Sequence, residues 1–283
     1  VLRFPKQADG KIAKTADIVL GQTDFVSGYL KAGTALNKFK NPNSLRFDSS
    51  GTLYVADNGN NRILKFPPSE QKIDGTATVF ASDPNWSNIY IGEIDTANNG
   101  IWVTSQQPYN LVLYGFDGSI KKTIMVNQRM VGSVGVGKDG SLIATSPTQG
   151  TVYFKTPMTA TTDYDKNIFI ANGINQNRLN AGHGIAIAGN QLFATDICRV
   201  LVWNDPASAT NGKAADYVLL QNNFTTLDCN AFRTTRLKAD SDGHVFIKTH
   251  KGIYVYQAPV TSASTPIKII TDPLTTITGE SLN

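Results

Sequence analysis

Three histidines, His183, His244 and His250, match in number one ligand set of catalytic zinc. Such a site needs all three imidazoles to converge within about 2.0–2.1 Å of a single ion. Asn43, Glu93 and Asp95 offer oxygen ligands of the kind a hard divalent cation such as Ca2+ prefers. Cys198 and Cys229 are the only thiols, so they form either one disulfide or two free groups. Asp57 with Arg62, and Asp196 with Arg199, could contact a ligand or could pair with each other to hold a turn. Other chemistry is missing from the text of the chain: no Gly-x-Ser-x-Gly elbow, Walker loop, His-Glu-x-x-His, haem attachment motif or EF-hand loop is found. Asp57-Asn-Gly-Asn-Asn61 has a calcium-like composition, but it lacks the bidentate glutamate of such a loop and reads as a turn.

The chain that must position these groups has 283 residues, 41% hydrophobic and 17% charged, with a formal net charge of +4. Disorder is excluded, because a disordered chain carries fewer apolar residues and more uncompensated charge. Apolar runs are four to six residues long and end at Gly, Asn or Asp, far short of the roughly 18 a spanning helix requires. The 24 glycines follow no period of three, which excludes collagen. Basic residues are scattered rather than gathered on a stripe, so nucleic acid is not an expected partner.

Repetition decides the fold. Residues 42–66, PNSLRFDSSGTLYVADNGNNRILKF, hold three short apolar strands divided by turn signals, and TATVFA at 76–81 adds a fourth. The same order returns around Gly100, Gly140, Asn190 and Gly243, at spacings of 40 to 53 residues from Gly51 onward. Four short strands at that period predict the blade of a β-propeller. The expectation is an all-β, six-bladed propeller of four-stranded antiparallel blades in one domain, 1–283. Its full blades are expected at about 41–85, 86–127, 128–172, 178–224 and 229–273. Residues 1–25 would give the outer strands of a closing blade and 274–283 its start. Val1-Leu-Arg-Phe-Pro5 copies Ile63-Leu-Lys-Phe-Pro67, so the chain enters at a third strand; any targeting segment would lie upstream, and the closing blade is expected to be short by about one strand.

The first repeat resembles an NHL repeat in its Pro42, Asp48, the Gly51-x-Leu-Tyr-Val-Ala-Asp57 segment and Asn61-Arg-Ile63. ADIVLGQTDF at 16–25 resembles the outer strand and exit loop of secreted bacterial NHL-like proteins, and DYVLLQNNF at 216–224 echoes it. The resemblance implies a propeller and little about activity, because the fold hosts unrelated functions. NHL-type amidating lyases hold zinc with three imidazoles, and the repeat alignment tests that idea here. His183 aligns with Asn43 at the start of an innermost strand, His250 falls farther out on the same face, and His244 falls on the opposite face; a three-histidine zinc site is not expected. The inner ring of Asn43, Tyr90, Gly132, His183 and Thr235 is poor in carboxylates unless a register shift in the second repeat brings in Glu93 and Asp95. No cofactor is expected; the alternative is one divalent ion in the tunnel, with His183 and Asn43 as ligands.

Cys198 and Cys229 fall in two connections that emerge on the same face of a blade, which leads to the expectation of a disulfide and an oxidising compartment. Buried free thiols in a cytosolic protein are the other reading. Two sequons, Asn85-Trp-Ser87 and Asn223-Phe-Thr225, matter only if the source makes N-glycans. The functional expectation is a secreted, cell-surface or periplasmic module that binds a protein, small molecule or glycan through loops carrying Trp86, Tyr109 and Phe224; the other reading of these aromatics is that they pack between blades. Enzymatic activity, as a metal-dependent lyase or hydrolase, is left open with the balance against it. A further alternative is a subunit of an extracellular assembly that self-associates through the incomplete closing blade.

Overall fold

The computed structural model describes residues 1–8, 13, 15–27, 33–107, 109–125, 134–137, 140–146, 150–154, 166–171, 178–179, 184–210, 212–230, 234–240 and 242–271. Every regular element among them is a β-strand apart from two 3-10 turns, Asn58–Asn60 and Pro68–Glu70. The chain divides into two compact units, Val1–Met125 and Val126–Asn283.

The first unit opens with a ribbon of β1 (Leu2–Arg3) and β2 (Ile18–Val19). A four-stranded antiparallel sheet follows, β3 (Pro42–Phe47), β4 (Leu53–Asp57), β5 (Arg62–Phe66) and β6 (Thr78–Ser82), and then a second of the same order, β7 (Tyr90–Asp95), β8 (Gly100–Gln106), β9 (Tyr109–Gly115) and β10 (Ile120–Met125). In β4 all five residues are buried, and in β8 six of seven. A strand covered on both faces reads as a continuous apolar run rather than an alternation, which is why LYVA and IWVT carry no period of two. Tyr54, Ile63, Phe80, Ile91, Val103 and Tyr114 belong to one core cluster in this unit. Tyr54 meets Phe80 edge-on at 5.0 Å between ring centres, and Trp86 meets Tyr114 at 6.4 Å. Leu20, Phe39, Leu53, Val55, Leu64 and Phe66 form a second core with Val1 and Ile18 packed against it.

Among the described residues the second unit holds three sheets. β16 (Ile185–Ala188), β17 (Gln191–Asp196), β18 (Arg199–Asn204) and β19 (Tyr217–Leu219) make one antiparallel sheet, and β20 (Thr234–Ala239), β21 (His244–Thr249), β22 (Gly252–Gln257) and β23 (Lys268–Ile270) another. β23 is an edge strand, exposed along its length, with Ile267, Ile269 and Ile270 open to solvent around Lys268. The remaining sheet has five strands, β11 (Val134–Val136), β12 (Leu142–Ser146), β13 (Gly150–Phe154), β14 (Lys166–Ala171) and β15 (Arg178–Leu179), the last of which pairs parallel to β14.

The architecture is therefore all-β and of propeller type, built on four-stranded antiparallel sheets. The blade count departs from expectation. Among the described residues four sheets are complete four-stranded blades, not six. The third repeat gains a parallel strand, a pairing that needs a crossover instead of a hairpin, and the N-terminal ribbon supplies only two strands. The expected start of the closing blade, 274–283, lies outside the described residues.

One turn recurs in both units. Asp48 Oδ1 accepts the backbone N–H of Ser50 at 2.9 Å and of Thr52 at 3.0 Å. Asp240 Oδ1 accepts those of Asp242 at 3.0 Å and His244 at 2.8 Å. Each turn closes on a glycine with positive φ, Gly51 at 80° and Gly243 at 85°, a conformation that suits glycine because it has no Cβ.

Candidate functional site: the clamped loops

Asp57 ends β4 and Arg62 begins β5, directly opposite each other. Both are buried, and Arg62 Nε lies 2.7 Å from Asp57 Oδ2. The remaining guanidinium donors point into the segment that enters the sheet: Nη1 donates to the Thr34 carbonyl at 2.6 Å, and Nη2 to those of Ala35 at 2.9 Å and Lys38 at 3.2 Å. Asp57 Oδ1 accepts the Lys40 N–H at 2.6 Å. The planar fork of arginine suits this job, since it can satisfy several acceptors from one rigid group.

In the second unit Asp196 and Arg199 hold the same register position. Both are fully buried and 2.8 Å apart. Here Arg199 Nη1 donates to the Phe224 carbonyl, gripping the loop that leaves the sheet. Gln221 Nε2 adds bonds to the carbonyls of Cys198 at 2.7 Å and Asp228 at 3.2 Å. Cys198 and Cys229 are bonded as a disulfide, with Cα atoms 4.9 Å apart. Cys198 is buried, whereas Cys229 lies on the exposed side of the same loop.

The second repeat lacks the ion pair. Ser105 and Asn110 stand where the acid and the arginine stand elsewhere, and Asn110 Oδ1 is buried with no hydrogen-bond partner. Side-chain amides instead tie the loops of this unit together. Asn58 Oδ1 accepts the Ile89 N–H at 2.9 Å, Asn61 Nδ2 donates to the Pro84 carbonyl at 3.2 Å, and Asn88 Nδ2 donates to Gln106 Oε1 at 2.8 Å. Ser87 and Gln107 exchange a β-bridge. Three loops thus form one platform whose solvent side carries Asn85, Asn88 and Gln107.

The predicted site residues distribute unevenly. Asn43 is exposed on β3, Tyr90 is half-buried on β7, and His183 lies outside the described residues. Trp86 is only 4% exposed, so its ring packs inside the unit and is not presented to a partner. Tyr109 opens β9 opposite Gln106, and Phe224 packs half-buried against a core containing Ile185 and Trp203. The register of the second repeat shifts between Ile91 and Ile94, and the two carboxylates go to different places. Glu93 meets Arg46 Nε at 3.3 Å. Asp95 is buried and accepts Trp102 Nε1 at 2.8 Å and the Asn98 N–H at 2.9 Å.

Among the described residues one group of three metal-capable side chains converges, Asp240, Asp242 and His244. It sits in the recurrent turn, and His244 Nδ1 lies 2.8 Å from Asp240 Oδ2. Burial raises the Asp240 pKa, but its bonds to His244 outweigh that and leave the carboxyl below its ordinary value. His250 is exposed elsewhere. Sequence reasoning missed the Arg46–Glu93 pair and the amide platform. A signal for the first was available: Arg46 stands two residues before Asp48 and Glu93 two before Asp95, so the two occupy equivalent positions in neighbouring repeats with opposite charge. The platform carried no such signal, since asparagine fills turns throughout this chain.

Comparison with known proteins bears on the fold. Residues 39–66 match the NHL repeat, the stretch that carries the resemblance in the sequence. No curated protein matches the chain by sequence. Among solved structures, the nidogen–laminin complex is similar at a TM-score of 0.56 and 13% identity, over 90% of this chain and 84% of that one. Virginiamycin B lyase from Staphylococcus aureus is similar at 0.51 and 16%, over 93% and 76%. A streptogramin B lyase structure aligns at 0.47 and 16%, over 74% of this chain and 62% of that chain, so this chain spans less than two thirds of its length. At these identities the likeness concerns the fold.

Proposed function

We propose that this propeller-type chain, with its NHL repeat, is a secreted binding module whose clamped, amide-rich loops meet a polar partner, protein or glycan. The observation that carries the reading is the cross-linked platform of Asn58, Asn61, Asn88 and Gln106. Loops fixed before contact lose little conformational entropy on binding, and carboxamides offer donors and acceptors without the desolvation cost of a charge. The disulfide supports an oxidising compartment, and among the described residues no helix is long and apolar enough to cross a membrane. A propeller from a protein–protein complex and a propeller lyase are both similar in fold, so the choice between binding and catalysis rests on the chain's own groups.

The test is an array of glycans and secreted proteins probed with the purified chain and with Asn88→Arg and Gln107→Arg variants. Saturable binding that either charge abolishes supports the reading; binding indifferent to both, or none, overturns it. Elemental analysis adds a second arm. A stoichiometric metal, lost on chelation together with a lyase or hydrolase activity, would favour the enzymatic alternative.

A further inference from the structure

The two halves of the disulfide differ in what can reach them. Cys198 is fully buried, and Cys229 is exposed. Exchange of a disulfide begins when a thiolate strikes one sulfur and the other leaves, and access helps decide which sulfur is struck. Cys229 meets solvent. Cys198 stands in the connection between β17 and β18, strands buried along almost their whole length. The 283 residues contain no third cysteine, so no thiol among them can open the bond, and the attacking group comes from solution.

Other bonds hold the two positions together whatever the state of the sulfurs. Gln221 Nε2 donates to the carbonyls of Cys198 at 2.7 Å and Asp228 at 3.2 Å, and Gln221 Oε1 accepts the Asp228 N–H at 3.3 Å. One carboxamide thus ties the Cys198 backbone to the residue that precedes Cys229. Arg199 Nη1 holds the carbonyl of Phe224 in the same loop. Asn223 Oδ1 closes a turn there, accepting the N–H groups of Thr225 at 3.0 Å and Thr226 at 2.8 Å. The two cysteine Cα atoms lie 4.9 Å apart. With the loop held in this way, a Cys198 thiol stays beside Cys229 after the bond opens, at the high effective concentration of an intramolecular partner.

We propose that Cys229 is a site of reversible S-thiolation by a small monothiol of the glutathione class. The thiolate attacks Cys229 Sγ and forms a new S–S bond there. The Cys198–Cys229 bond breaks, and its electron pair leaves on Cys198 Sγ, which takes a proton from water. One disulfide is exchanged for another, so nothing is oxidised or reduced overall. In the reverse step Cys198 gives up that proton, attacks Cys229 Sγ and expels the small thiolate. Cys229 is the sulfur that carries the adduct, and Cys198 the sulfur that removes it. This site does not depend on the amide platform, and either can fail without the other.

The experiment incubates the full, folded chain with excess reduced glutathione, quenches in acid and maps the products by mass without reduction. The expected result is a single glutathione on Cys229 with Cys198 as a free thiol. Removing glutathione by gel filtration should clear the adduct and restore the disulfide. Single-cysteine variants give a second readout. The Cys229 thiol of Cys198→Ser should react with dithiobisnitrobenzoate at least about tenfold faster than the Cys198 thiol of Cys229→Ser in the folded state, and urea should bring the two rates together. If either variant fails to fold, mapping on the unsubstituted chain decides alone. An adduct carried mainly by Cys198, equal rates in the folded variants, or a disulfide that stays closed under excess glutathione overturns the proposal. Accumulation of the free dithiol with no adduct also overturns it, because Cys198 would then not be resealing the bond.

Discussion

Arg199 and Asp196 lie 2.8 Å apart with neither side chain touching solvent, and the same guanidinium holds the carbonyl of Phe224. A buried charge is tolerated only when paired and hydrogen-bonded, so the loop and the ion pair support each other: the pair holds the loop, and the loop carbonyl contributes to the solvation of the pair.

Removing one partner should therefore cost more than removing both. Asp196→Ala removes the carboxylate 2.8 Å from the buried Arg199 guanidinium and is expected to destabilise the protein by about 3–5 kcal/mol. Asp196→Ala combined with Arg199→Met should be milder than Asp196→Ala alone. Urea denaturation of the two variants decides; a double variant that is the worse of the two would contradict the mutual dependence.

The Cys198–Cys229 bond spans a sequence separation of 31. In the chain-entropy account a loop of that size is worth about 3–4 kcal/mol. The Cys198→Ser, Cys229→Ser chain is expected to fold with its denaturation midpoint lowered accordingly. Because Arg199 and Gln221 also hold the loop, its near-ultraviolet signal should stay native. Mass measurement after alkylation without reduction should find no modified cysteine in the parent protein.

Gly21 has φ of 87°, and a Cβ built on it would lie 2.0 Å from the ring of Phe39. Gly21→Ala should lower stability by more than the roughly 1–2 kcal/mol that left-handed backbone alone costs, because the Phe39 ring must also move. Thermal melting checks it, with Gln22→Ala as the neighbouring control.

Acid should weaken the first sheet through Asp48. Burial raises its pKa, but bonds from the Ser50 hydroxyl, the Thr52 N–H and the Tyr54 hydroxyl lower it by more, leaving it below the ordinary value. A folded pKa below the unfolded one stabilises above the ordinary carboxylate range, about 3.9, and the contribution fades as pH falls through the folded value. The melting temperature should drop between about pH 5 and pH 2, and Asp48→Asn should flatten part of that slope. An equal slope in both proteins would remove Asp48 from the account.

The strands of the first full repeat were readable because their buried runs end at Asp48-Ser-Ser-Gly51 and Asp57–Asn61, turns with their own chemistry. The pairing of Cys198 with Cys229 was readable from their placement in the repeat. The parallel addition of β15 was not, since two residues of strand carry no pattern of their own. Nor was the burial of Trp86, because a residue in a loop gives no sign of whether its ring turns inward. Leu220 shows the limit most plainly: it repeats the position of Gly21 and adopts φ of 70°, a left-handed conformation that leucine itself does not announce.

The exposed strand β23 bears on how the protein is expected to behave in a concentrated solution. Its sequence places a positive charge, Lys268, among three exposed isoleucines, and a charged side chain on a strand that is an edge among the described residues disfavours edge-to-edge pairing. Neutralising that amine would remove the charge that blunts this strand, so turbidity on concentration is expected to rise when Lys268 is acetylated.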